Sequence, residues 1–235
     1  MPGPLALVGA GEFLPAMSAF DASLLASTGV PRPRVVILPT ASFPDGEDVF
    51  QGWAAMGAAH FAGLGAEVEP VLVRDRAEAD DPAAAQAVGE ADLIYLSGGK
   101  PAHLLRALDG SAVGHALVAA HERGAALAGC SAGAMALAGH AFDFRLRFMP
   151  FPLRWGAGLG IATGLSVVPH YDAWPEPFSV LIALQAPRGS VVLGIDEGTA
   201  VVGRDGGWQV HGAARVTVWR GRHRERFRAG DVFRI

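Results

Sequence analysis

The sequence predicts an α/β protein: a mostly parallel sheet flanked by helices on both faces, closed by antiparallel β-hairpins near the C-terminus. Three observations predict it. Short apolar runs bounded by Gly, Pro or charge alternate with helical patterns, the signature of parallel strands joined by crossover helices. After Gly189 the rhythm changes to strands linked by turn dipeptides, as hairpins require. With 51% hydrophobic and 18% charged residues, the 235-residue chain can also build a core on both faces of such a sheet.

Taken in order, Pro4–Val8, Val35–Leu38, Val68–Val73, Leu93–Leu96 and Ala125–Ala128 read as buried strands. Asp45 is expected to cap a helix that turns Val49, Trp53 and Met56, spaced by three and four, toward the core. Asp81 before Pro82 opens a short helix, and Pro101 to His121 supplies further helical turns. Ala132–Ala138 is compatible with a helix that His140 closes, and Leu165–Val168 is a strand leading into Pro169-His170. Val191–Ile195, Thr199–Val202, Trp208–His211 and Ala214–Trp219 then form hairpins, one of them turned at Asp205-Gly206. No internal repeat or linker interrupts the chain, so one domain over 1–235 is expected.

Composition excludes several function classes. A net charge of −4 argues against nucleic acid as a partner. The arginines at 215, 220, 222, 224, 226 and 228, interleaved with Glu225 and valines, read as a solvated strand face. A single cysteine forms no internal disulfide, and no Cys/His spacing suggests a metal site. Gly124–Phe142 has only His140 as a titratable side chain other than Cys130, but its glycines and alanines give too little transfer energy to hold a helix in lipid. The start, MPGPLALVGAGEF, lacks the basic n-region of a secretory signal. A cytoplasmic protein without membrane, metal or organic cofactor is expected. The GAGEF in that segment lacks the third glycine of a dinucleotide fingerprint, which disfavours that reading.

The stretch LAGCSAGAM carries the chemistry. Gly129-Cys130-Ser131-Ala132-Gly133 fits G-x-S-x-G, and it follows a predicted buried strand and precedes a helix-compatible run. At such a strand–turn–helix the central residue stands at the apex, which here is Ser131. Cys130 turns to the other side, into packing. The flanking positions are glycine because a side chain there would collide with adjoining backbone. A serine nucleophile also needs oxyanion donors and a base. The glycine pair that follows Leu93–Leu96 offers amides at Gly98 and Gly99 to oppose that of Ala132. Among eight histidines His170 stands out, at the end of a buried strand; His60, His115 and His121 lie in helical patterns and His211 and His223 in hairpins. Glu197, after an apolar strand, is placed to orient an imidazole, and Asp143 and Asp172 are alternatives.

SGGKPAHLL, GCSAGAM, VVPHYD and GIDEGTA together resemble, in order and spacing, the serine peptidases of the dipeptidase E and cyanophycinase family. Their fold is like that of class I glutamine amidotransferases. The resemblance spans most of the chain and implies Ser131 as nucleophile and His170 as base. It also implies an oxyanion hole from amides near Gly98–Gly99 and of Ala132. Cyanophycinase-like members imply Glu197 as the acid; the dipeptidase E pattern implies an aspartate between serine and histidine, for which Asp143 is the nearest match. Glutaminase activity is disfavoured, because the apex is serine and no His-x-Glu follows.

Two departures leave specificity open. Lys100-Pro101 stands where dipeptidase E-like proteins have Asn-Thr, and YDAWPEPFSVLIAL has none of their arginines after the histidine. Aspartate preference is therefore not carried over, since Asp172 and Glu176 would repel an acidic side chain. Lys100 and Tyr171 are the pocket candidates. The expected substrate is a short peptide or small amide, and a homodimer is left open. Two other readings stand beside this one: a catalytically silent peptide- or amino-acid-binding homologue, and an α/β-hydrolase esterase using His211 or His223.

Overall fold

The computed structural model describes residues 1–142, 153–204 and 206–235. The first half alternates strand and helix: β1 (Leu5–Val8), α1 (Ser18–Ala26), β2 (Arg34–Leu38), α2 (Glu47–Gly63), β3 (Glu67–Pro70), α3 (Arg76–Ala79), α4 (Pro82–Gly89), β4 (Leu93–Leu96), α5 (Pro101–Leu108), α6 (Ala112–Arg123), β5 (Ala126–Cys130) and α7 (Ala132–Leu137). Then come β6 (Ala138–Phe142), β7 (Trp155–Ala157), β8 (Ala162–Val168), α8 (Glu176–Leu184) and β9 (Val191–Ile195). The chain finishes with β10 (Thr199–Arg204), β11 (Gly207–Gly212), β12 (Arg215–Arg220), β13 (His223–Arg228) and β14 (Val232–Arg234).

The strands form two sheets. The larger runs β14-β11-β10-β1-β5-β4-β2-β3, and its β1, β5, β4, β2 and β3 are parallel neighbours. The smaller runs β13-β12-β9-β8-β6-β7, with β6, β8 and β9 parallel. The expected hairpins are present but are shared out: β10–β11 extend the larger sheet and β12–β13 the smaller. The turn at Asp205 lies outside the described residues.

Alternation along each strand explains the layering. Leu5, Leu7, Val36, Leu38, Ile94, Leu96 and Leu127 enter one core cluster; Ala6, Val8, Val35, Ile37, Leu93, Tyr95, Ala126 and Ala128 enter another on the opposite face. Strands buried on both faces must be apolar throughout, and these are. Leu165, Val167, Leu193, Ile195, Val216 and Val218 of the smaller sheet belong to the first cluster, so one continuous core joins the two sheets.

Three local expectations need correction. Helix α2 is capped by Gly46, not Asp45, and it buries Phe50, Ala54, Gly57 and Phe61 while Val49 and Met56 are exposed. The segment carries two apolar stripes, and the one with the phenylalanines fills the larger volume. The predicted strand Val68–Val73 ends at Pro70. His140 lies on β6, because α7 already ends at Leu137. Asp81 does cap α4, accepting from the Ala83 amide at 2.9 Å. The C-terminal arginines lie at the two ends of the buried strand β12, along the exposed strand β13 and in the turn between them, and several face carboxylates: Arg220 meets Glu225, and Arg224 and Arg226 meet Glu176.

Candidate active site

The site gathers at the carboxyl ends of parallel strands from both sheets, where an open α/β fold leaves its crevice. Ser131 follows β5, Gly98 and Gly99 follow β4, His170 follows β8 and Glu197 follows β9. Local sequence sets the first turn. A Cβ at Gly129 would stand 2.5 Å from the Gly133 backbone, and one at Gly133 would stand 2.3 Å from the Leu96 carbonyl oxygen. Both positions therefore need glycine, and Ser131 is held at the turn with φ 50° and ψ −109°. Among the described residues only three non-glycines have positive φ: Phe13, Ser131 and His170. An L-residue there is strained, and such strain collects where a side chain must be aimed.

Ser131 Oγ and His170 Nε2 are 3.0 Å apart, and His170 Nδ1 and Glu197 Oε1 are 2.7 Å apart. The carboxylate can only accept, so Nδ1 carries the proton and Nε2 is left to accept from the serine hydroxyl. This is the tautomer that lets an imidazole take a proton from serine. The relay is open to solvent: the His170 and Glu197 side chains are 40% and 54% exposed. Of the alternative acids, Asp172 sits behind the relay, where its Oδ1 accepts from the Glu197 backbone N–H at 3.0 Å. Asp143 lies outside the described residues.

The glycine pair divides its roles. Gly98 N–H donates to Glu12 Oε1 at 2.9 Å, so the expectation that it serves an oxyanion is corrected. Lys100 N–H donates to the Ala41 carbonyl at 2.6 Å, and Gly99 between them has φ +141°. The Gly99 N–H has no protein acceptor among the described residues. Ala132 opens α7, so its N–H lacks an intrahelical partner.

Cys130 is fully buried, and its thiol donates to Glu12 Oε2 at 2.8 Å. Burial, with the Glu12 charge beside it, pushes the thiol pKa well above its ordinary value. A cysteine so placed is inert as a nucleophile.

A cleft of about 560 Å³ opens beside Ser131 and His170 and is walled by Pro44, Met135, Pro169 and Trp174. Lys100 lines it as expected, with its ammonium 3.0 Å from Asp45. Tyr171 does not line the cleft. Its ring lies on Gly194, where a Cβ would come within 2.3 Å, and its hydroxyl accepts from Trp219 Nε1 at 2.9 Å. Two lining residues went unread in the sequence, His103 and Arg106. His103 Nε2 lies 2.8 Å from the Arg74 carbonyl, whereas Arg106 has no hydrogen bond or ion pair among the described residues. The readable signal was spacing: Ala102 and Arg106 share one face of α5, four residues apart. Glu176, expected to repel acids here, is neutralised by Arg224 at 2.5 Å, which holds its carboxyl below the usual range.

Among the described residues, no group of three or more His, Cys, Asp or Glu is placed to hold a metal ion, and no helix is long and apolar enough to cross a membrane.

Fold and family together define a serine peptidase of mixed α/β architecture. The model of peptidase family S51 matches residues 5–211, and the chain belongs to that family. The crystal structure of a peptidase from an acI-B1 Actinobacterium is similar, with TM-score 0.89 and 33% identity over 100% of this chain and 98% of that one. A candidate peptidase E protein from Listeria monocytogenes EGD-e shares the fold, with TM-score 0.65 and 18% identity over 91% of this chain and 100% of that one. No curated protein matches the chain significantly.

Proposed function

We propose that the protein hydrolyses short peptides through an acyl-enzyme formed on Ser131. The observation that carries this reading is the unbroken relay of 3.0 Å and 2.7 Å from Ser131 through His170 to Glu197. His170 takes the hydroxyl proton as Ser131 attacks the scissile carbonyl, and the Gly99 and Ala132 amides receive the oxyanion. The imidazolium, steadied by Glu197, protonates the departing amine; His170 then activates water to release the acid. Attack here resembles that at a nucleophile elbow, whose strained apex keeps the hydroxyl proud of the sheet.

The cleft suits a substrate of two or three residues, with apolar walls for side chains and Arg106 for a carboxylate. The silent-homologue reading loses its motive, since Lys100 is matched by Asp45 and Glu176 by Arg224. An esterase working through His211 or His223 is not supported either. The His211 ring packs on Phe20, and His223 begins an exposed strand.

A fluorophosphonate probe tests the reading. Mass mapping is expected to find the adduct on Ser131 in wild type and none in Ser131→Ala, with labelling slowed by about 10³-fold or more in His170→Ala. A folded wild-type protein left unlabelled at Ser131 would overturn it. A dipeptide library run beside Ser131→Ala as blank then reads the specificity.

A further inference from the structure

The loop Gly9–Phe13, set aside above as a dinucleotide motif, packs against the turns that carry Gly98, Cys130 and Glu197. Its Ala10 carbonyl accepts from the Gly198 N–H at 3.1 Å, next to Glu197. Gly9 packs so closely on the Asp196 carbonyl that a Cβ would come within 2.2 Å. The last residue of β1 before the loop, Val8, accepts from the Ser131 N–H at 3.0 Å. At the centre is Glu12, only 6% exposed. Its Oε1 accepts from Gly98 N–H at 2.9 Å and its Oε2 from Cys130 Sγ–H at 2.8 Å, partners 86 and 118 residues away.

A buried carboxylate is costly unless it is well bonded, so its presence here asks for a reason. Phe13, directly after it, is forced to φ 63° with its ring wedged against Tyr95 at 4.9 Å between centroids. The loop is thus pinned on both sides of the carboxylate.

Resting on the reading of Ser131 as nucleophile, we infer that Glu12 is a positioning residue of the site. One carboxylate ties the oxyanion loop to the residue before the nucleophile, and so fixes the distance between Gly99 N–H and Ser131 Oγ. With Gly98 held by Glu12 and Lys100 held by Ala41, the peptide between them has no freedom to turn the Gly99 N–H away. Glu12 touches no substrate and transfers no proton. It acts through Gly98 and Cys130.

The test measures the second-order rate of fluorophosphonate labelling at Ser131 across pH 6–9, well below each melting temperature. Wild type, Glu12→Ala, Glu12→Gln and Cys130→Ala are compared. Loss of a preorganised donor is expected to slow Glu12→Ala by about 10- to 100-fold at the profile's maximum, with the half-maximal pH unmoved. Glu12→Gln, whose amide oxygen still accepts from Gly98, restores the rate to within about fivefold. Cys130→Ala, which cuts the tie on the nucleophile's side but leaves the Gly98 bond, slows labelling by about 3- to 10-fold, and a wild-type rate there would overturn the tie. A folded Glu12→Ala that labels at the wild-type rate, a Glu12→Gln as slow as Glu12→Ala, or a displaced half-maximal pH would each overturn the proposal. If Glu12→Ala does not fold, Glu12→Asp, which withdraws the carboxylate by one methylene, takes its place under the same criteria. Wild type unlabelled at Ser131 would overturn the nucleophile reading, and this proposal with it; labelled wild type beside equally labelled Glu12→Ala overturns this proposal alone.

Discussion

Asp172 Oδ1 accepts a hydrogen bond from the backbone N–H of Glu197 at 3.0 Å, two residues after His170, to which the Glu197 side chain is bonded. The two carboxylates therefore work in series: one orients the imidazole and the other holds the turn that presents it. Because Glu197 is 54% exposed, solvent screens its charge. Glu197→Ala is expected to lower kcat/KM by about 10- to 100-fold, less than Ser131→Ala or His170→Ala. Asp172→Ala is expected to cost about 3- to 10-fold alone and almost nothing in the Glu197→Ala background. Full additivity in that cycle would show that Asp172 acts elsewhere.

Cys130 provides a second check. Buried, bonded to Glu12 and with its pKa pushed up, the thiol is expected to ignore an aromatic disulfide reagent at pH 8 in the native protein. In denaturant it reacts. Labelling of native protein together with loss of activity would contradict the packing described.

Arg106 is the cation of the cleft without a partner among the described residues. Arg106→Glu is expected to raise KM about tenfold for peptides with a free C-terminal carboxylate or an acidic side chain, leaving kcat nearly unchanged. Amidated neutral peptides report the background. Equal losses on charged and amidated substrates would remove Arg106 from recognition.

What was legible in the sequence was local. Ser131 and His170 could be singled out because their cues, two glycines after a strand and a proline after an apolar run, lie within a few residues, and the structure sets the two side chains 3.0 Å apart. The central strands β1, β2, β4 and β5 of the larger sheet read correctly because burial on both faces demands apolar runs, whereas the edge strands β3 and β14, only partly buried, carry no such run. Glu12 was invisible for the opposite reason: its partners Gly98 and Cys130 come from distant turns that only the folded sheet brings together. The face of α2 was misread because EDVFQGWAAMGAAHFAG offers two stripes, and only the partner surface decides between Val49 and Phe50. Tyr171, a pocket candidate in the sequence, instead fills with its ring the hollow that Gly194 leaves.

Asp21, fully buried and bonded to His60 at 2.8 Å, sets a pH dependence of stability. Burial raises its pKa from 3.8 to about 6 despite the histidine. A carboxyl that holds its proton more tightly when folded favours the native state below the unfolded pKa. That advantage is lost as pH rises through the folded value. Stability is thus expected to decline from about pH 4 to pH 6 through this group, by at most about 1.4 kcal/mol per pH unit. Urea unfolding at pH 4, 5 and 6 checks it: the difference between wild type and Asp21→Asn should shrink or reverse along the series. A constant difference would reject the assignment.

The left-handed backbone at Ser131 and His170 sets folding against reactivity. A chain shaped for folding alone would put glycine at φ 50° and 49°, where an L-residue costs about 1–2 kcal/mol. Ser131→Gly is accordingly expected to melt several degrees above wild type while losing all turnover, and calorimetry beside the labelling assay would register both. The more durable chain would then be an inert one, with the tension of the native backbone held at Ser131 and His170.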